Sequence, residues 1–174
     1  FLYLAAKIED QNVVGTHTGA MSEPWQDDSV DFYFDVADVG GDAVGGSCAR
    51  LVISAAGGFA SFYGERDRTI TGIPAAGWRA APDWMRGLRF DTAVRGTLNN
   101  PRDKDTGYVV EAAVPWKFLG GHPRPKIGFN VVCHLRGEHE GFASWSPAVK
   151  SQDDFDRPSR WGLMEVSPSA VPSP

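Results

Sequence analysis

Apolar and polar side chains alternate with a period of two along much of this chain, most clearly from Val30 to Val36. Val30, Phe32, Phe34 and Val36 fall on one face of a strand, and Asp31, Tyr33 and Asp35 on the other. The chain opens in a similar segment from Leu2, and further strands are predicted at about Ala49–Ala55, Phe59–Tyr63, Leu88–Arg95, Gly107–Val114, Ile127–Leu135 and Trp161–Val166. Clusters of Gly, Pro, Asn and Asp separate them, so the expected fold is all-β, an antiparallel β-sandwich of jelly-roll or immunoglobulin-like type with little helix. Gly40–Gly46 reads as a hairpin connection and Asn99–Asp105 as a longer polar one. Neither leads into a helix whose N-terminus could cradle a phosphate. Gly64 to Arg86 reads as a long irregular loop, and its Trp78 and Trp84 become reserve candidates for ligand contact.

Length adds a bound on organisation. A chain of 174 residues fits one domain, since a chain near this size buries roughly 70% of its unfolded surface. We assign residues 1–166 to a single sandwich and 167–174, rich in Pro and Ser, to a linker or tail. The opening at Phe1 lies inside a strand, with neither an initiator Met nor a signal peptide, so the expectation is a processed or excised piece that lacks the opening segment of its sheet. No apolar run is long enough for a membrane span. A formal charge of −5 and no basic stripe argue against nucleic acid as partner. Cys48 and Cys133 leave one disulfide or two buried thiols open.

The chemistry concentrates at Pro24-Trp25-Gln26-Asp27-Asp28-Ser29-Val30-Asp31. An indole ahead of the strand and a carboxylate pointing away from the core offer a flat ring beside an acceptor, a pairing suited to the C–H faces and hydroxyls of sugars. A solvated acidic turn is the competing reading. Arg50 is placed to reach the same sheet face and donate to sugar oxygens.

Several segments, in order, resemble the family 9 carbohydrate-binding modules, β-sandwiches of the DOMON-like superfamily. Leu2 to Asp10 is similar to one of their early strands, Trp25 to Asp35 to the strand that follows the key Trp, and Gly107 to Leu119 to a strand and Pro-Trp turn, with only the family's opening segment absent. Ile127 to Val131 and Pro158 to Met164 resemble two later segments. The resemblance implies non-catalytic saccharide binding, with a covalently linked glycan-degrading enzyme, an extracellular or periplasmic location and a monomeric module. It also implies an aromatic clamp, with Trp25 as one wall and Asp31, where the family usually has Glu, accepting sugar hydroxyls. Phe155 is the positional match for the second wall, near polar Gln152, and Trp145 is its rival. A structural calcium ion is a further expectation. Asp10, Asp27, Asp28 and Asp35 are available, but no spaced ligand set assigns them.

Other functions fit less well. There is no Gly-x-Ser-x-Gly, HExxH or CxxC pattern, and only Asp31 and Glu111 suggest an acid–base pair across a glycosidic bond. Glu111 and Trp116 otherwise read as structural, Glu111 being partly buried. A haem-binding sandwich with His17 and Met21 as axial ligands is one alternative, and a silent spacer domain is another.

Overall fold

The computed structural model describes residues 1–70, 73–121, 124–137 and 140–166, the side chains of 66–70, 73–76 and 85 excepted. Among the described residues ten strands form two antiparallel sheets: β1 Leu2–Ile8, β2 Ser29–Asp35, β3 Cys48–Ser54, β4 Phe59–Ile70, β5 Ile73–Ala80, β6 Arg89–Arg95, β7 Gly107–Val114, β8 Lys126–Leu135, β9 Gly141–Ser144 and β10 Gly162–Glu165. The smaller sheet runs β1-β7-β6. The larger runs β10-β8-β2-β3-β4-β5, with β9 also paired to β8. The described residues contain no α-helix, only short 3-10 turns. None of their segments is a helix long and apolar enough to cross a membrane.

The core lies between the sheets. Val30, Phe32 and Phe34 of β2 meet Leu51 and Ile53 of β3, Val110 and Val114 of β7, and Ile127 of β8. Trp84 belongs here too. It is fully buried, its ring stacks on Phe118 with centroids 4.9 Å apart, and its indole N–H donates to the Tyr63 hydroxyl at 3.0 Å. It is therefore excluded as a ligand contact. Cys48 and Cys133 form no disulfide. Cys133 pairs with core-facing Val30, whereas Cys48 pairs with Asp35 on the opposite face, so the sheet itself separates the two sulfurs.

The expected loop from Gly64 to Arg86 is instead a long hairpin, β4 and β5, followed by a 3-10 turn at Pro82–Arg86. Glu65, Arg66, Asp67 and Arg68 have too few apolar neighbours to show a buried face, and the pairing slips between Glu65 and Arg68. β9, only four residues long, was also missed. Glu111 is exposed rather than partly buried. It stands on the outer face of the small sheet, in a row with Ala5 and Asp91. Asp31 also faces away from the shared core but from the other sheet, so the two carboxylates point in opposite directions and cannot flank one glycosidic bond. The proposed Pro/Ser tail, 167–174, lies outside the described residues.

Unlike most antiparallel strands, β2 is buried at all seven positions. The segment after β9 folds over the outer face of the large sheet and makes a second apolar cluster of Tyr33, Val44, Cys48, Val132, Val149, Phe155 and Trp161. Buried Asn130 anchors it by accepting the backbone N–H of Ser146 at 2.9 Å. A capping box between Ser151 and Asp154 and the Trp161 indole, which donates to the Phe155 carbonyl at 3.1 Å, set its path.

Candidate functional site

Strand register brings four side chains of the outer face into one row: Phe62 on β4, Arg50 on β3, Tyr33 on β2 and Asn130 on β8. Asp31 lies in the next row, between Val52 and Val132. Its side chain has no solvent exposure, and its oxygens are shared among three elements. Arg50 donates Nη2 to Oδ2 at 2.6 Å and Nε to both oxygens at 3.0 Å. The Tyr33 hydroxyl donates to Oδ2 at 2.9 Å, and His134 Nε2 lies 3.3 Å from the same atom. Burial pushes the Asp31 carboxyl up, but Arg50 and His134 more than offset it and hold the group below its ordinary value. The same burial, with Asp31 beside it, drives the Tyr33 phenol well up. Asp31 is thus a charged anchor for Arg50.

The guanidinium so held sits among rings, 5.8 Å from the Trp25 centroid, 5.5 Å from Phe62 and 5.3 Å from Tyr33. Its side chain is 16% exposed, and among the described residues Nη1 has no protein acceptor. Trp25 rides on a 3-10 turn that begins at buried Pro24. Arg136, just after β8, clamps that turn by donating Nη2 to the Trp25 carbonyl at 2.7 Å and its backbone N–H to Asp28 at 2.6 Å. Beyond Tyr33 comes Trp78 of β5, with ring centroids 6.1 Å apart, and its indole N–H donates to Asp156 at 2.7 Å. A continuous run of contacts, Trp25 to Arg50 to Tyr33 to Trp78, therefore crosses the sheet. Aromatic walls at both ends and a largely shielded cation between them present flat apolar faces beside directed donors.

The remaining sequence candidates fall in different places. Phe155 belongs to the segment that covers the outer face and touches this array at Tyr33; it is 8% exposed, and its ring lies near Tyr33 and edge-on to His134 and Phe142. Gln152 is exposed on the 3-10 turn just before it. Trp145 shares no contact with Trp25, Asp31 or Arg50 and packs on Phe129 at the sheet edge. His17 Nδ1 is 2.8 Å from Asp27, and the Met21 sulfur is 4.0 Å from the Ser61 hydroxyl. The four aspartates considered for calcium hold loops together. Asp27 accepts from Thr16, His17 and Ser54, Asp28 from Val14 and Arg136, Asp35 from Val39, Gly40 and Ser47, and Asp10 from Asn12. These N–H and O–H donors engage both oxygens of Asp27, Asp28 and Asp35 and one oxygen of Asp10. Among the described residues no three His, Cys, Asp or Glu side chains are grouped as a cation site.

Tyr33, Phe62, Trp78, His134, Arg136 and Asp156 were absent from the first-choice sequence candidates. Alternation already put Tyr33 beside Asp31, and the same period-2 count applied to β3, β4 and β8 would have gathered Arg50, Phe62 and His134 once the pairing was known.

The family model for carbohydrate family 9 binding domain-like proteins matches residues 1–168. The chain belongs to this family. Among curated relatives, this family 9 chain is 27% identical over 170 residues to endo-1,4-beta-xylanase A of Thermotoga maritima, covering 95% of the chain but only 13% of that protein. A family 9 carbohydrate-binding module of Caldicellulosiruptor kristjanssonii solved with glucose superposes with a TM-score of 0.57 at 17% identity, covering 95% of this chain and 70% of that one. The cellotriose complex of a module from the same organism gives 0.59 at 18% identity, covering 97% and 72%. The shared fold is the family 9 β-sandwich.

Proposed function

We propose that this family 9 domain binds a saccharide across the outer face of its large sheet, with Trp25 and Trp78 stacking on sugar rings and Arg50 donating to hydroxyls. One observation carries the reading: a cation fixed by a fully buried carboxylate yet left with an unclaimed donor nitrogen beneath the Trp25 ring. Asp31 acts mainly through Arg50, because its own oxygens are already shared among Arg50, Tyr33 and His134. The glucose and cellotriose bound by the Caldicellulosiruptor modules and the xylanase identity of the Thermotoga relative support β-linked glucan or xylan as the ligand class. By the same support the domain is non-catalytic, is carried by a secreted glycan-degrading enzyme and tethers it to substrate.

Ring stacking on one or two sugars contributes on the order of a few kcal/mol, which after association costs gives affinities of roughly micromolar to millimolar. The test is calorimetric titration with glucose, xylose, cellobiose and xylobiose of the native protein, Trp25→Ala and Trp78→Ala. Saturable heat with at least one sugar, abolished by Trp25→Ala and weakened by Trp78→Ala, is expected. Heat unchanged by Trp25→Ala, or none with any sugar, would remove the proposal.

A further inference from the structure

On the edge of β8 away from β2 the pairing partner changes. β9 takes Val132–Leu135 and β10 takes Lys126–Phe129, so Asn130 and Val131 fall between them. Trp145 fills the break. Its backbone N–H donates to the Val131 carbonyl at 2.8 Å, and its ring lies against Phe129 with centroids 5.9 Å apart. Beneath the ring is Gly162, the first residue of β10. A Cβ at that position would overlap the indole, standing 2.9 Å from Cη2 and 3.2 Å from Cε3. Gly162 is not in the left-handed region, so no backbone constraint requires glycine there. What the glycine provides is room for the six-membered edge of the indole against the strand.

The indole is thus backed on one side by peptide and Phe129 while the residue stays 57% exposed. Among the described residues its indole N–H has no protein acceptor. A Trp immobilised with one face and its donor open to water is an uncommon use of a large apolar surface. Its flat C–H-binding face and single N–H suit a pyranose ring with adjacent hydroxyls.

We infer that Trp145, seated against Gly162, is a second and separate contact for neutral β-linked glycan, distinct from the Trp25–Arg50–Trp78 array. The inference rests on the proposed saccharide class but not on the first site. Two weak contacts on one rigid domain raise retention on a long polymer through effective concentration, without changing affinity for a short sugar that occupies one of them.

The experiment follows the tryptophan indole N–H cross-peaks by NMR, with the Trp145 signal assigned by its loss in Trp145→Ala. Cellohexaose and xylohexaose are titrated to about 20 mM, a range that reveals millimolar binding, into the native protein and into Trp25→Ala. Retention of both on insoluble cellulose and xylan is measured in parallel, together with Trp145→Ala and Gly162→Ala, all verified as folded by circular dichroism. We expect the Trp145 cross-peak to shift saturably in both proteins. Trp145→Ala and Gly162→Ala should lower polymer retention about three- to tenfold while leaving disaccharide affinity at the Trp25 site unchanged. A Trp145 cross-peak that stays still while that of Trp25 moves overturns this inference and leaves the first site standing. Shifts that follow protein concentration rather than sugar also overturn it, since they would make the platform a self-association surface. A responsive Trp145 with a silent Trp25 would instead remove the first site alone.

Discussion

Replacing Asp31 by Asn isolates the interaction on which the site is built. The change keeps shape but removes the charge facing Arg50, leaving a guanidinium whose side chain is 16% exposed among three aromatic rings. Removing one partner of a buried pair costs about 3–5 kcal/mol, and the partial exposure of Arg50 places the expectation at the lower end, about 3 kcal/mol. For a domain of this size that corresponds to a fall in Tm of about 6–12 °C, measured by circular dichroism, with guanidinium denaturation for the free energy. Sugar affinity should fall about tenfold or more, since the donor is no longer aimed. The companion variant Arg50→Met removes the stranded charge, so Asp31→Asn with Arg50→Met should be more stable than the sum of the single changes by about 1–3 kcal/mol. A cost below about 1 kcal/mol for Asp31→Asn, or simple additivity in the cycle, would refute the view of Asp31 as the anchor of Arg50.

Asp31→Glu should also destabilise, by about 1–3 kcal/mol in chemical denaturation, because an extra methylene enters a space with no exposure; equal or greater stability would show that the pocket has slack. Burial pushes the Asp28 carboxyl up to about 6, against hydrogen bonds from Val14 and Arg136, and carboxyl NMR should find it titrating there. Since its folded value lies above its unfolded one, its contribution is present below about pH 4 and lost as pH rises through about 6, a difference of at most about 3 kcal/mol. EDTA is expected to leave Tm unchanged, because the candidate calcium aspartates are occupied by N–H and O–H donors; a drop of several degrees would show an oxygen-rich site that includes backbone carbonyls.

Strands with dense alternation were legible in the sequence. β2, β3, β6, β7 and β8 emerged within two residues of their observed bounds because most of their inward residues are Val, Ile, Leu, Phe or Tyr. The β4–β5 hairpin did not, since Glu65 to Arg68 and the segment around Pro74 and Gly77 carry little apolar signal. Trp25, Asp31 and Arg50 were each named, and they do meet. What period-2 counting could not supply is the covering layer from Trp145 to Trp161. That layer is held by a local cap, Ser151–Asp154, and by contacts between different segments, buried Asn130 with Ser146 and Trp161 against Tyr33. Without it Phe155 looks like an open wall and Asp31 like a surface acid.

The burial of β2 on both sides has an evolutionary consequence. One strand serves as wall to the interior with Val30, Phe32 and Phe34 and as floor to the ligand face with Asp31 and Tyr33, so a floor substitution is tested for folding before it can be tested for recognition. Diversification is cheaper at the rim, where Trp25 stands on a turn and Trp78 on the outermost strand. New ligand preferences in this lineage should therefore arise by exchanging rim rings above a fixed Asp31–Arg50 base, and a directed-evolution library confined to the rim should keep far more folded members than one spread across the floor.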